Sequence, residues 1–116
     1  MTIIYGIHNC DTVKKALKWL DNANVNYTFH DLRKDGLTAE TLQQFVALSD
    51  WSALINKRST TYRNLTDEVK HNLSGDVAKQ TVLDNVTLLK RPLLMHQGHL
   101  HLGFKAAQYD EIFANE

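Results

Sequence analysis

The fold is decided by a short stretch near the N-terminus, Thr2-Ile3-Ile4-Tyr5-Gly6-Ile7-His8-Asn9-Cys10-Asp11-Thr12. Its first half is apolar and β-branched, which predicts a buried strand that ends at Gly6. Asn9, Asp11 and Thr12 are residue types that open helices, because their side chains accept hydrogen bonds from backbone N–H groups that a helix leaves unpaired. The stretch therefore predicts a strand, a short loop and the start of a helix, with Cys10 at the junction.

Cys10 is the only cysteine of the chain. At the start of a helix its sulfur faces unpaired N–H groups and the positive end of the helix dipole, and both favour the reactive thiolate over the thiol. Asp11 acts in the opposite direction, because a neighbouring carboxylate disfavours the thiolate. The alternative interpretation is that Cys10 is a small buried apolar residue, which is the usual role of a free cysteine.

Length and charge restrict the class of protein. A chain of 116 residues fits one domain, and its 13 basic and 13 acidic residues cancel. Since no basic stripe stands out, we predict no nucleic-acid partner. No run approaches the roughly 18 apolar residues of a membrane span, and the N-terminus lacks a signal-peptide pattern, so we expect a cytoplasmic protein without a membrane partner. A single cysteine also excludes an internal disulfide and an intramolecular dithiol cycle.

The rest of the first two thirds predicts strands and helices in alternation. Apolar residues at helical spacing follow Cys10, and Val25–His30 alternates as a strand does. Such a strand-helix-strand unit is parallel and right-handed. Further helices are predicted from Thr38 onward, around Trp51, and over 66–72 and 75–84, with an exposed loop at 56–64.

The last third changes to the periodicity of strands. Residues 90–104 predict two strands around a Gln97-Gly98 turn, since glycine suits the positive φ that such a turn needs. Pro92 donates no ladder hydrogen bond and is restricted to a strand's first residue or an edge, which places Arg91 just ahead of the strand. Tyr109, Ile112 and Phe113 then predict a closing helix. The predicted fold class is therefore α/β, in which a βαβ unit and a ββα unit share one mixed sheet with helices packed on it.

Four segments carry a resemblance to a known family: Gly6–Thr12 with Lys14-Lys15-Ala16, Lys57–Arg63, Lys90–Leu94 and Leu102–Phe104. In this order they resemble the arsenate reductase (ArsC-type) superfamily, and most closely its YffB-like branch, to which the transcription regulator Spx is related. The resemblance spans essentially the whole chain. It implies a single thioredoxin-like domain over 1–116 with a helical insertion at about 37–88.

The resemblance also implies a site and its chemistry. By that match Cys10 is the nucleophile, Arg58 and Arg91 hold an anion, and Pro92 follows a cis peptide bond, while Asn9 and Thr12 support the start of the helix. Glutathione or another small thiol would act as reductant and co-substrate, and neither a bound cofactor nor a metal is implied.

Two departures from the family pattern narrow the predicted function. Arsenate reductases of this type carry a third arginine near the final strand, whereas residues 99–103 contain none, so arsenate is not the predicted substrate. Spx-type and dithiol proteins carry C-x-x-C, and here Val13 occupies the fourth position. We predict an oxidoreductase, a glutathione-dependent thiol reductase that acts on a small thiol or oxyanion through Cys10 alone. The alternative is a non-catalytic, Spx-like adaptor that binds a protein partner such as RNA polymerase.

Histidines provide two further candidates. His8 lies two residues before Cys10, where an imidazolium would stabilise a thiolate, although a histidine on a solvated loop can equally be incidental. His96, His99 and His101 fall on one face of the predicted hairpin, as zinc ligands do. We predict instead that this face meets water and binds no metal.

Overall fold

A computed structural model describes residues 1–114 and places four strands in one mixed sheet. The strands are β1 Thr2–Gly6, β2 Thr28–Asp31, β3 Leu93–His96 and β4 His99–Leu102. Their spatial order is β2-β1-β3-β4; β1 is parallel to β2 and antiparallel to β3, and β3 is antiparallel to β4. This arrangement confirms the predicted fold class, because β1 and β2 belong to a βαβ unit and the hairpin β3-β4 belongs to a ββα unit.

The chain divides into two compact units. The first unit holds the sheet and comprises Met1–Leu32 and the chain from Arg91 onward, and the second comprises Arg33–Lys90. The sequence prediction of one domain over 1–116 with an insertion at about 37–88 stays a prediction.

Helix α1, Asp11–Asn22, packs on the sheet through one apolar face. Its residues Ala16 and Leu20 are fully buried in a cluster with Ile4, Leu94 and Tyr109. A fully buried leucine or isoleucine side chain, such as those of Leu20, Ile4 and Leu94, contributes about 1.5 to 3 kcal/mol. The cluster thus fixes α1 against β1 and β3.

Strand β2 begins three residues later than the alternating pattern predicts. Ala23 and Val25 still donate backbone N–H groups to carbonyls of the last turn of α1, and Asn24 takes φ 57°. These residues therefore complete the C-terminal cap of the helix, as left-handed residues after a helix commonly do. Val25 and Tyr27 pack partly buried against the core cluster without belonging to the strand.

The second unit is helical, and the predicted helices are confirmed there. The prediction of an exposed loop over 56–64 is wrong in one respect, because a short helix, α4 Thr60–Arg63, forms inside it. Ser59 caps that helix by accepting a hydrogen bond from Tyr62 N. Because this local polar contact stabilises the helix start, the helix forms without the apolar spacing by which helices are predicted from sequence. None of the helices within residues 1–114 has the length and apolar character to cross a membrane. The elements are α2 Ala39–Leu48, α3 Trp51–Leu54, α4 Thr60–Arg63, α5 Asp67–His71, α6 Gly75–Asp84 and a 3-10 turn, Val86–Leu88.

The hairpin β3-β4 has the predicted two-residue turn. Gln97 and Gly98 have φ 51° and 79°, as a type I′ turn requires. The hairpin is followed by helix α7, Ala106–Ile112, which buries Tyr109. The closing helix predicted from Tyr109, Ile112 and Phe113 is thereby confirmed.

Candidate active site

Four segments of the first unit leave the sheet at the same end. The pairing of Tyr5 with Leu93 and of Gly6 with Asp31 aligns the carboxyl ends of β1 and β2 with the amino end of β3. Gly103, just past β4, donates its backbone N–H to the Pro92 carbonyl at 2.9 Å. This end of the sheet therefore brings together the loop to Cys10, the end of β2, the Arg91-Pro92 pair and the residue after β4.

A tight turn carries the chain from β1 into α1. Cys10 N donates to Ile7 O at 3.0 Å. Among the described non-glycine residues only Asn24 and Gln97 have positive φ, so His8 and Asn9 occupy the centre of a type I turn. Cys10 is the N-cap residue of α1, with φ −88° and ψ 125°, as the sequence predicts for the junction.

The Cys10 side chain is half-buried and makes no capping hydrogen bond within the described structure. Its carbonyl accepts the first helical hydrogen bond, from Lys14 N at 2.9 Å. The sulfur thus stands at the positive end of a helix of 12 residues without occupying the N–H groups of the first turn.

Gly6 and Val13 explain why this junction is compact. A Cβ atom built on Gly6 would lie 2.7 and 2.9 Å from the two methyl groups of Val13. Val13 is fully buried. The position at which a second cysteine would complete C-x-x-C is therefore filled by a branched side chain packed on the end of β1.

Asp31 is a residue that the sequence analysis missed. It ends β2 and is buried, with 3% of its surface exposed. One carboxylate oxygen accepts hydrogen bonds from His8 N at 3.3 Å and from His8 Nδ1 at 2.8 Å. The signal in the sequence was a charged residue directly after the apolar alternation of β2. His8 accordingly has a fixed partner, although its side chain is 72% exposed.

The other predicted site residues differ in where they lie. The Arg91-Pro92 peptide bond is cis, as the resemblance implied, with Pro92 buried and Arg91 half-buried. Asn9 and Thr12 are exposed beside Cys10. Arg58 is exposed in the second unit, where its backbone N–H donates to Asn56 Oδ1 at 3.1 Å. The assignment of these residues to one site stays a prediction.

The three hairpin histidines form no metal site in the described part of the chain, where no group of three histidine, cysteine or acidic residues is arranged to hold an ion. His96 Nδ1 lies 2.7 Å from Thr2 Oγ1, and its ring packs on Phe113. The prediction that this face only meets water is therefore wrong at His96, which is buried. Burial, followed by the charges of His99 and His96, lowers the pKa of His101.

The sheet order, the helix that follows β1 and the cysteine at its N-cap define a thioredoxin-like protein. A family model described as the ArsC family matches residues 5–112, and the chain belongs to this family. The membership confirms the family that the four sequence segments indicated.

Known relatives agree with this assignment. The chain is 46% identical over 114 residues to an uncharacterised protein of Haemophilus influenzae, covering 98% of this chain and 100% of the relative. The solved structure of a protein named YFFB superposes with a TM-score of 0.89 at 36% identity, covering 96% of this chain and 97% of that one. The global transcriptional regulator Spx 2 of Bacillus anthracis is 24% identical over 106 residues, which cover 90% of this chain and 80% of the regulator.

Proposed function

We propose that the protein is a cytoplasmic, glutathione-dependent thiol reductase in which Cys10 is the only nucleophile. The observation that supports this most directly is the placement of Cys10, half-buried at the N-cap of α1 with no capping bond of its own. A sulfur in this position is accessible to a small substrate and stands at the positive end of the helix dipole. Membership of the ArsC family is consistent with such chemistry.

The proposed reaction has two thiol–disulfide exchanges. The Cys10 thiolate attacks the glutathione sulfur of a mixed disulfide, forms a Cys10–glutathione disulfide and releases the substrate as a thiolate. A second glutathione thiolate then attacks the glutathione sulfur of this adduct, which regenerates the Cys10 thiolate and leaves oxidised glutathione. An external thiol is needed because the chain has no second cysteine.

We propose that Arg91 and Arg58 receive the carboxylates of glutathione. Arg91 precedes β3 at the sheet end from which the Cys10 turn also departs, and a guanidinium holds a carboxylate with two parallel hydrogen bonds. Arg58 is assigned by the resemblance of its segment to the family. Each charged contact is worth about 1.5 to 3 kcal/mol, so either substitution by alanine should weaken adduct formation at least tenfold.

The test is the intact mass of the protein after incubation with oxidised glutathione. We expect one glutathione to be added, to be lost again with excess reduced glutathione, and to be absent in Cys10→Ser. Arg91→Ala and Arg58→Ala should slow the addition, whereas Arg63→Ala, which removes an exposed arginine without an assigned role, should not. A wild-type protein that forms no adduct at neutral pH would refute the proposal.

Val13→Cys provides a sharper test of the single-cysteine mechanism. It would create C-x-x-C at the start of α1, and the new thiol should displace glutathione to give an internal disulfide. The wild-type adduct should persist under the same conditions. If the wild-type adduct loses glutathione without added thiol as fast as the Val13→Cys adduct does, release needs no second thiol and the proposed cycle is wrong.

The second candidate function is a non-catalytic adaptor that binds a protein partner. It is supported by the similarity to Spx over 90% of this chain. A slow alkylation of Cys10 throughout neutral pH, together with failure to form the glutathione adduct, would favour the adaptor.

A further inference from the structure

The buried carboxylate of Asp31 has no part in the exchange reaction described above, yet it contacts the turn that carries Cys10. Its Oδ2 atom lies 2.8 Å from His8 Nδ1 and 3.3 Å from His8 N. A carboxylate with 3% exposure is costly unless hydrogen bonds replace its hydration. Both contacts go to a residue within the Ile7–Cys10 turn.

The backbone fixes Asp31 with respect to the same turn. Gly6 and Asp31 are paired in the register of β1 and β2, and Leu32 N donates to Gly6 O at 2.7 Å. The carboxylate is therefore held at the strand end from which the turn departs. The sheet therefore fixes the residue before the turn, and the Asp31 side chain fixes the second residue of the turn, His8.

We propose that Asp31 is a positioning residue that sets the place of Cys10 by holding His8 at the centre of the turn. The effect of Asp31 on the reaction of Cys10 rests on the proposed function, whereas the contact between Asp31 and His8 does not. A carboxylate only accepts hydrogen bonds, so Nδ1 is the donor in this contact, and Nε2 is the ring nitrogen of His8 that does not face Asp31. Because a displacement of about 1 Å at a reacting atom can cost about a hundredfold in rate, a freed turn should slow reactions that need an aligned sulfur.

Four variants test the two hydrogen bonds between His8 and the Asp31 carboxylate separately from the other interactions that Asp31 makes. Asp31→Ala removes both contacts, and Asp31→Asn keeps one oxygen that can accept from His8 N. His8→Ala removes only the ring contact. His8→Pro removes the ring and the backbone donor together, and proline suits the second position of a type I turn. Asp110→Asn, an exposed acid on α7, is the matched control.

The main measurement is the rate of adduct formation with oxidised glutathione divided by the rate of alkylation with iodoacetamide. The first reagent must align with the site, whereas the small second reagent reports only an available thiolate. We expect this ratio to fall about tenfold or more in Asp31→Ala and His8→Pro, and less in His8→Ala and Asp31→Asn. The double variant Asp31→Ala/His8→Pro should be no worse than either single variant, and Asp110→Asn should match the wild type.

A second measurement does not depend on glutathione chemistry. Hydrogen exchange at the Cys10 amide, which donates to Ile7 O, should accelerate in Asp31→Ala and His8→Pro by more than exchange at the core amide of Ile4. Equal acceleration at both amides would show that Asp31 only stabilises the fold and would overturn the proposal. A ratio within twofold of the wild type in Asp31→Ala and His8→Pro would also overturn it. If the wild type forms no glutathione adduct, the proposed function fails, and the exchange measurement alone decides whether Asp31 positions Cys10.

Discussion

Helices α1 and α2 begin with the same backbone conformation at the N-cap but differ in the side chain that occupies it. Their N-cap residues, Cys10 and Thr38, have φ −88° and −87° in extended conformations. Thr38 Oγ1 accepts a hydrogen bond from Thr41 N at 3.2 Å, whereas Cys10 makes no such bond within the described structure. The N-cap of α2 therefore stabilises its helix through a side-chain hydrogen bond, whereas the N-cap of α1 leaves the sulfur outside such a bond, as the proposed role of Cys10 requires.

A third N-cap in the chain shows what this environment does to an anion. Asp50 caps α3, and the Ser52 hydroxyl, followed by the backbone N–H of Ala53, lowers the pKa of its carboxyl below the usual value. An anion at a helix start is thus favoured by the donors around it. Cys10 receives no such hydrogen bond within the described structure, so the donors of the first turn of α1 are left for a bound anion rather than used on the cap residue.

The largest expected effect is that of Cys10→Ser. The substitution should abolish the glutathione adduct and also make α1 resemble α2, because a serine hydroxyl can accept from Val13 N as Thr38 does from Thr41 N. We expect the free energy of unfolding to rise by about 0.5 to 2 kcal/mol. Urea unfolding followed by circular dichroism measures this gain. A loss of stability would show that the sulfur itself packs at this position.

Gly6→Ala should be the most destabilising of the remaining changes. Its Cβ would lie 2.7 Å from a Val13 methyl carbon, so the start of α1 must shift away from β1. Overpacking of this kind costs about 1 to 3 kcal/mol in the free energy of unfolding. The double variant Gly6→Ala/Val13→Ala removes the methyl groups in question and is the control. If Gly6→Ala costs no less in that background, the contact with Val13 is not the cause.

The starts of α1 and α2 could both be predicted from the sequence, whereas several contacts elsewhere in the fold could not. Periodicity and turn chemistry predicted β1, α1, the helix after Thr38 and the Gln97-Gly98 hairpin, because local patterns determine those elements. The start of β2 was predicted three residues too early, because Ala23 and Val25 form hydrogen bonds with the end of α1 instead. Helix α4 was not predicted, because it begins at the polar cap residue Ser59 and shows no apolar period. Asp31 was missed because its burial and its contact with His8 arise from pairing between strands distant in sequence.

Thr38→Ala should have a moderate effect on stability and none on the chemistry. Loss of the hydrogen bond to Thr41 N should lower the free energy of unfolding by about 1 kcal/mol. The rate of glutathione adduct formation at Cys10 should stay the same as in the wild type. A change in that rate would mean that the two helix starts do not act independently.

Asp11→Asn should have the smallest effect, and it separates the two roles of charge at the start of α1. Asp11 lies in the first turn, where a negative charge stabilises the helix by about 0.3 to 1 kcal/mol. The same charge repels a thiolate on the adjacent residue, by less than about 1 kcal/mol across several ångströms of water. We therefore expect a slightly less stable protein whose Cys10 reacts up to about threefold faster with iodoacetamide at pH 7.

The matched control for Asp11→Asn is Glu40→Gln, because Glu40 is the acidic residue in the first turn of α2. Glu40→Gln should lower the free energy of unfolding by a similar amount and leave the alkylation rate of Cys10 unchanged. Since an interaction between exposed charges is screened by salt, the advantage of Asp11→Asn should shrink in 1 M salt. An alkylation rate that falls in Asp11→Asn would mean that the carboxylate assists the thiol, and the contrast between the two helix starts would then need a different electrostatic explanation.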